Sequence, residues 1–240
     1  MLTSNISLNN FKKRKSLILK NKLKELIQDQ NNKIFGSLGK NYKNNFTKKK
    51  LNKYRKFLNF RIIGMGGSIL GTQTIYDFLK HKIKKNFLFV NSLQNPKIKI
   101  NKKKFVNIVV SKSGNTLETI VNSNILLKKN DNNIFVTEKK NNYLYNFAKE
   151  MKAEIIHHNN FIGGRYSVLS EVGMLPAELM GLNINKFKQF NSLIKNKKFL
   201  NSLIITVNST LFFIKKKKFN SVIINYDEKS ENLFKWYQQL

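Results

Sequence analysis

The sequence predicts an α/β fold, in which a parallel β-sheet is covered by helices on both faces. From Phe60 onward, short runs rich in Ile, Val and Phe alternate with longer helical patterns, an order typical of parallel-sheet proteins. Hydrophobic residues make up 41% of the 240 residues and include 19 Phe, which is enough for a substantial core. The length fits one large domain or two small ones.

The predicted elements begin with an amphipathic helix in a segment rich in Lys and Asn. Its apolar positions are Leu17, Leu19, Leu23, Leu26 and Ile27. The predicted strands then lie at 61–63, 87–90, 106–110, 134–137 and 154–156, with helices at 72–80 and 116–129. Each strand is a short apolar run, as expected for a sheet buried on both faces.

The pattern breaks at Gly163-Gly164 and then resumes. Helices are predicted at about 171–181 and 202–214, followed by a strand at 221–225 and a helix containing Phe234, Trp236 and Tyr237. A lone strand would be unpaired, so this restart predicts a second domain of similar architecture that has only begun at Leu240. We divide the chain into a helical extension (1–55), a first α/β domain (56–160) and a segment (161–240) that connects to and begins the second domain.

The net charge of +32 comes from 45 Lys and Arg against 13 Asp and Glu. Only four of the 45 are Arg, and the chain is also rich in Asn and Ile, which indicates a composition bias in the coding sequence. A nucleic-acid reader usually carries Arg forks and a recognisable module. We predict no dedicated nucleic-acid partner, and a basic nucleic-acid protein stays open as an alternative that the charge alone supports.

Cysteine is absent, which excludes disulfides, thiolate catalysis and cysteine metal sites and fits a reducing cytosol. Lys and Asn interrupt the first 24 residues, so no signal peptide is predicted. The most apolar segment, 203–214, is too short to span a membrane. We expect a cytoplasmic protein with no membrane partner, and we assign no metal ligands.

A glycine-rich turn follows the first predicted strand, at Gly64-Met65-Gly66-Gly67-Ser68 with Leu70-Gly71. Such a turn lets backbone N–H groups approach a ligand at a helix N-terminus. The dinucleotide pattern fails because Ile69 stands where the third Gly belongs, and no Walker sequence is present. Packing of a tight strand-to-helix turn is the alternative explanation for these glycines.

Hydroxyl side chains are concentrated after the third strand, in the segment Ser111-Lys112-Ser113-Gly114-Asn115-Thr116-Leu117-Glu118-Thr119. There the N–H groups and the positive end of the helix dipole face outward, so hydroxyl donors suit a phosphate monoester. Helix capping by Ser113 or Thr116 would explain one or two of these residues but not their density. The segment therefore predicts a phosphate site.

An arginine stands directly after two glycines in the third segment, Gly163-Gly164-Arg165-Tyr166-Ser167-Val168-Leu169-Ser170. In a chain with 41 Lys and four Arg, an Arg at this place suggests a need for its planar, permanently charged fork. A surface salt bridge is the alternative. Glu171 and Glu178 lie close by in sequence, and we expect helix-capping or surface roles for both.

Together, the three segments resemble the phosphoglucose isomerase family. The turn is similar to the family's G-I-G-G-S-x-L-G, with Met65 for Ile. The hydroxyl segment is similar to S-K-[ST]-x-x-T-x-E-T, which is typical of sugar-isomerase (SIS) domains in general. The third segment, with Gly173 and Pro176, matches the more specific G-G-R-[YF]-S-x-x-S-x-x-G-x-x-P. The resemblance covers roughly residues 55–240.

The resemblance implies an SIS-type fold that interconverts glucose 6-phosphate and fructose 6-phosphate through an enediolate. It implies no cofactor, a sugar phosphate as ligand and a homodimer in the complete form. Arg165 is the implied catalytic residue, which stabilises the developing negative charge. The implied substrate-binding residues are Gly67, Ser68, Ser111, Lys112, Ser113, Gly114, Asn115, Thr116, Thr119, Gly164 and Gln239.

Residues Trp236–Leu240 match the approach to a family helix that reads Q-[LG]-x-x-E-S. The remainder of that helix is where this sequence departs from the family. The family's catalytic Glu, and the His and Lys used for ring opening, would follow Leu240, so we expect this segment alone to be inactive. None of His81, His157 and His158 stands at a family position, and we expect surface or packing roles for them. A sugar-phosphate binding module without catalysis is the alternative function.

Overall fold

The computed structural model describes residues 16–29, 32–93 and 104–240. These residues form two compact units. The first contains the described residues up to Asn41 together with Lys188–Ile224, and the second contains the described residues of Tyr42–Phe187 together with Asn225–Leu240. The first unit is helical, and the second contains the sheet.

A five-stranded, all-parallel sheet forms the centre of the second unit, in the order β2-β1-β3-β4-β5. This sheet confirms the predicted α/β fold class and all five predicted strands of the first domain. The strands are β1 (Asn59–Gly64), β2 (Asn86–Val90), β3 (Val106–Val110), β4 (Asn132–Thr137) and β5 (Glu154–His157).

The predicted helices are also present, with ends that differ by a few residues. No helix in the described ranges is both long and apolar enough to cross a membrane. The helices are α1 (Leu17–Gln28), α2 (Lys33–Leu38), α3 (Lys48–Leu51), α4 (Leu70–Leu79), α5 (Leu117–Leu126), α6 (Tyr143–Glu150), α7 (Glu171–Leu179), α8 (Phe190–Leu193), α9 (Lys197–Lys215) and α10 (Glu231–Gln239).

Helices cover both faces of the sheet, as predicted. Consecutive strand residues point to opposite faces, so Ile62 packs with α4 and α7 whereas Ile63 packs with α5 and α6. The cluster on the α4–α7 face is the larger one. Because the strands are buried on both faces, they read as continuous apolar runs, and this is why the sequence located them.

Three polar residues interrupt the apolar surface on the α5–α6 face. Arg61, Asn107 and Asn133 stand side by side on β1, β3 and β4 in matching register, and all three are buried. Asn107 donates to Asn133 Oδ1 at 2.8 Å. Arg61 Nη1 and Asn133 Nδ2 donate to the carbonyls of Leu126 and Lys128, at 3.1 and 2.9 Å. This ladder ties the sheet to the carboxyl end of α5.

The predicted strand at 221–225 is wrong. The segment has no regular secondary structure, and Val222 and Ile224 are 84% and 69% exposed. An apolar run indicates a need for burial, but a strand also requires a neighbour to pair with, and the described sheet ends at β2 and β5. The predicted second domain therefore stays a prediction.

Candidate functional site

The strand order of the sheet changes direction between β1 and β3. β2 lies on one side of β1, and β3, β4 and β5 follow one another on the other side. The connections after β1 and β3 therefore diverge and leave a crevice at the carboxyl ends of these strands, which is where open α/β sheets bind ligands. The glycine-rich turn follows β1, the hydroxyl segment follows β3, and Gly64 is paired with Val110.

The glycine-rich turn touches the Gly164-Arg165 backbone. A Cβ atom placed on Gly67 would lie only 2.6 Å from the carbonyl carbon of Gly164 and 2.8 Å from Arg165 N. Gly66, with φ +55°, faces the Gln239 side chain. Packing thus accounts for glycine at 67, and its contact with substrate stays a prediction. Two of the three sequence motifs are joined directly by this approach.

The hydroxyls of the loop bond to each other and to the loop backbone. Ser111 Oγ lies 3.0 Å from Thr116 Oγ1 and accepts from Gly114 N at 3.2 Å. Ser113 Oγ accepts from Asn115 N at 3.3 Å. Thr116 occupies the N-cap position of α5, yet its side chain makes no capping hydrogen bond. Helix capping therefore does not account for these hydroxyls.

The start of α6 supports the loop from behind. Gly114 has φ +70°, and a Cβ on it would lie 1.8 Å from Asn142 Oδ1. Leu144 N donates to the Gly114 carbonyl at 3.0 Å, and Tyr143 N donates to Asn115 Oδ1 at 3.1 Å. Gly114 and Asn115 thus have structural roles in the described loop, and a role in binding stays a prediction for both.

The Lys112 ammonium is held by the neighbouring loops. It donates to the Asn160 carbonyl at 2.8 Å and lies 3.7 Å from Glu138 Oε1. Glu138 follows β4, is nearly buried and also forms an ion pair with Lys140. Burial alone would raise the pKa of Glu138, but Lys140 and Lys112 outweigh burial and hold the pKa below its usual range.

Three further predicted site residues have distinct environments. Thr119 lies in the first turn of α5, is buried, and its hydroxyl has no hydrogen-bond partner among the described residues. Ser68 is half-buried in the turn. Arg165 is exposed, and its guanidinium forms no ion pair within the described ranges, so the surface salt bridge considered from sequence is not seen there.

Helix α10 joins the same cluster, although it lies far along the chain. The Trp236 indole N–H donates to the Arg165 carbonyl at 2.9 Å. One turn further, the Gln239 side chain faces Gly66. The structure thus brings Gly67, Gly164, Arg165 and Gln239 together, with the hydroxyl loop at the next strand end. The sequence placed Trp236 in the approach to the family's Q-[LG]-x-x-E-S helix but indicated no role for its side chain.

The surface roles expected for Glu171 and Glu178 are wrong, because both side chains are buried. Glu171 accepts from Tyr42 Oη at 2.8 Å and from Asn45 N at 2.9 Å. Burial and the Glu171 carboxylate together raise the pKa of the Tyr42 phenol. Glu178 pairs with Arg55. Both acids sit inside a strongly basic chain because they satisfy donors there.

His158 is a fully buried histidine beside the Lys112 and Glu138 pair. Its Nδ1 lies 3.1 Å from the Asn159 carbonyl, and Nε2 has no partner among the described residues. Burial lowers the pKa of His158 to about 4; the Asn159 carbonyl acts in the opposite direction and the Lys112 charge adds to the lowering. The ring is therefore neutral at pH 7, in agreement with the expected packing role.

The family model of phosphoglucose isomerase matches residues 40–240. The chain belongs to the phosphoglucose isomerase family. This match confirms the resemblance seen in the three motifs, and it begins about 15 residues earlier than the motifs indicated, in the segment that precedes the sheet.

Individual relatives agree with this family assignment. A Methanocaldococcus jannaschii protein named glucose-6-phosphate isomerase is 31% identical over 92% of this chain and 58% of its own length. One from Acholeplasma laidlawii with the same name is 32% identical over 75% of this chain and 48% of its own length. The chain thus spans about half the length of these relatives.

The fold is also found in a solved structure. A hypothetical protein of Thermus thermophilus matches with a TM-score of 0.71 at 21% identity, over 92% of this chain and 58% of that one. At this identity the match supports the fold and says nothing about the chemistry.

Replacing Gly67 by Ala should disturb the contact between the glycine-rich turn and Gly164. The added methyl group would meet backbone atoms that cannot rotate away, so we expect a loss of about 1–3 kcal/mol in the free energy of unfolding. Urea denaturation followed by the fluorescence of Trp236 would measure it. Gly164→Ala is the matched control, because a Cβ there meets no atom within 4 Å. Equal stability of the two variants would contradict the close approach.

Acidification should destabilise the protein through His158. Its unfolded form takes up a proton below about pH 6.5 and its folded form only near pH 4, so the unfolded state binds more protons between these values. The free energy of unfolding should fall as the pH drops from 6.5 to 4, by about 1–3 kcal/mol more than in His158→Gln. Denaturation at a series of pH values measures this difference. His81→Gln, at an exposed position, should keep the full pH dependence, and an unchanged dependence in His158→Gln would refute the assignment.

Proposed function

We propose that this chain anchors the substrate in a glucose-6-phosphate isomerase, which interconverts glucose 6-phosphate and fructose 6-phosphate through an enediolate. Membership of the family and the names of the relatives support the proposal. The observation that carries it is the meeting of the hydroxyl loop, the glycine-rich turn and the Arg165 segment at the crevice between β1 and β3.

The phosphate group would bind at the hydroxyl loop, to Ser111, Ser113 and Thr116. These hydroxyls can turn from their present hydrogen bonds towards a phosphate, since among the described residues each bonds only within the loop. The start of α5, a ten-residue helix, adds the positive end of its dipole. Thr119 lies one turn along the same helix and would support the site from its buried position.

The sugar would extend from this loop towards the turn and the Arg165 segment. Gly67, Ser68 and Gly164 would line its path, and Gln239 would contact it near the reacting carbons. Arg165 would stabilise the negative charge that develops on the enediolate, because its guanidinium stays protonated throughout the reaction. Lys112 would contribute charge at longer range, since Asn160 and Glu138 hold its ammonium. No cofactor is needed for this chemistry.

We assign the proton transfer to none of the carboxylates next to these residues. Glu138 lies between two ammonium groups, Glu171 accepts two hydrogen bonds, and Glu178 pairs with Arg55. These partners occupy the carboxylate oxygens, and for Glu138 they also hold the pKa below its usual range. A catalytic base instead needs a pKa close to the working pH and must lie within hydrogen-bond reach of the proton that it removes from the substrate.

The remaining proposals concern the complete enzyme. We propose a cytoplasmic homodimer, as the family resemblance implies, and a second domain of similar architecture that begins within residues 161–240. The exposed side chains of Phe219, Val222 and Tyr226 support the second domain, because such a dense apolar run calls for a covering surface.

Replacement of both Ser113 and Thr116 by Ala should weaken sugar-phosphate binding. Each substitution would remove one hydrogen bond to the charged phosphate and so weaken the binding free energy by about 1–3 kcal/mol. Calorimetric titration of the 240-residue chain with fructose 6-phosphate measures the loss. The control variant changes Thr206 and Thr210 to Ala, two exposed α9 hydroxyls that bond to their own helix. Unchanged affinity in the first variant would remove the phosphate assignment.

The 240-residue chain itself should bind fructose 6-phosphate with little or no turnover. Its described residues would supply phosphate anchoring and a cation for the enediolate, and we assign none of Glu138, Glu171 and Glu178 as the base. A coupled assay with glucose-6-phosphate dehydrogenase measures the turnover. The same assay mixture without the chain sets the background rate. Turnover by the unmodified chain far above this background would show that a base within these residues had been missed.

A further inference from the structure

Trp236 makes a long-range contact with the residue proposed to stabilise the enediolate. It is the only tryptophan of the chain, and its indole N–H donates to the Arg165 carbonyl at 2.9 Å across 71 residues of sequence. The indole is half-buried against the core cluster on the α4–α7 face. The hydrogen bond itself lies in an exposed position, and its acceptor belongs to the Arg165 backbone.

The backbone around Arg165 is held from several directions. Gly164 lies against Gly67 at a distance that leaves no room for a methyl group. Ser167 Oγ donates to the Gly164 carbonyl at 2.6 Å. Trp236 takes the next carbonyl along the chain. Two consecutive carbonyls are therefore fixed, one from inside the segment and one from α10.

Helix α10 is itself tied to the sheet domain. Asn232 Nδ2 donates to Asp77 Oδ2 on α4 at 2.8 Å, one turn before Trp236. The indole therefore reaches Arg165 from a fixed base. In contrast, the Arg165 side chain is exposed and forms no ion pair with any described residue. The peptide groups on either side of Arg165 set the position of its Cα atom and the direction of its Cα–Cβ bond.

We infer that Trp236 is a positioning residue for Arg165. By holding the Arg165 carbonyl, the indole N–H fixes the direction of the Arg165 Cα–Cβ bond. The side chain is thereby directed towards the crevice between β1 and β3. Trp236 does not touch the substrate in this assignment. The inference rests on the proposed function, because Arg165 needs a negatively charged ligand to act on.

The test removes one N–H group and keeps the ring. Because the chain has a single tryptophan, growth of a tryptophan auxotroph on benzothienylalanine replaces only position 236. This analogue has sulfur in place of the indole N–H and nearly the same shape. Trp236→Phe provides a second, genetic variant if the analogue is poorly incorporated. Tyr237→Phe, at an exposed position, is the matched control.

Two ligands separate the two parts of the site. Inorganic phosphate needs only the hydroxyl loop, whereas a sugar-acid phosphate also presents a carboxylate that mimics the charge of the enediolate. Calorimetry should give an unchanged Kd for phosphate. The Kd for the sugar-acid phosphate should rise about three- to tenfold, as for the loss of one hydrogen bond. In an Arg165→Lys background, benzothienylalanine at position 236 should not change the Kd for the sugar-acid phosphate any further, because both changes act through the side chain of residue 165.

The outcomes distinguish the inference from the proposed function. Equal affinity of the normal and substituted chains for the sugar-acid phosphate would overturn the inference alone. Equal weakening for both ligands would also overturn it, because Trp236 would then support the whole site and not Arg165. Failure of the unmodified chain to bind either ligand would overturn the proposed function, and the inference with it.

Discussion

The parallel pairing of β1 with β3 is the constraint on which the rest of the site depends. It sets Gly64 beside Val110, so the turn that leaves β1 and the loop that leaves β3 start from neighbouring points. Each segment alone says little about function, because glycines suit any tight turn and hydroxyl residues are common where a helix begins. Only the pairing of these two strands brings a dense set of hydroxyls next to a backbone that admits close approach. The connections then diverge to opposite sides and keep the crevice open.

Much of this arrangement could be predicted from the sequence, for a simple physical reason. Strands buried on both faces are apolar at every position, and the three motifs stand where such runs end. The failures came from interactions that no local pattern records. The run at 221–225 is as apolar as the true strands but has no neighbour to pair with. The burial of Glu171 depends on Tyr42, a partner 129 residues away, and the role of Trp236 depends on a carbonyl 71 residues away. Residue type predicts the need for burial, and the fold decides which partner satisfies it.

Three carboxylate side chains among the described residues are buried, and one of them, Glu138, lies beside the hydroxyl loop. With 13 acids against 45 basic residues, most lysines have no acidic partner to meet. Glu138 nevertheless lies next to the hydroxyl loop, where it holds Lys112 and Lys140 and keeps their charges behind the loop. Glu171 and Glu178 are likewise internal, one bound to Tyr42 and one to Arg55. The charge of Lys112 beside the crevice is thus balanced by a local pair, whereas Arg165 forms no ion pair with a described residue.

The buried ladder of Arg61, Asn107 and Asn133 has a consequence for how the strands find their alignment. The apolar residues of β3 and β4 are nearly interchangeable, so a slip of two residues would keep the same faces buried. Such a slip would set Asn107 beside Phe135 in place of Asn133 and leave its amide without a partner in an apolar layer. The ladder therefore favours one register of three otherwise similar strands, because the other registers leave buried polar groups without partners. In a misaligned sheet, the turn after β1 and the loop after β3 would no longer start from neighbouring points. The three side chains of the ladder therefore help to form the crevice, although they lie below it in the sheet.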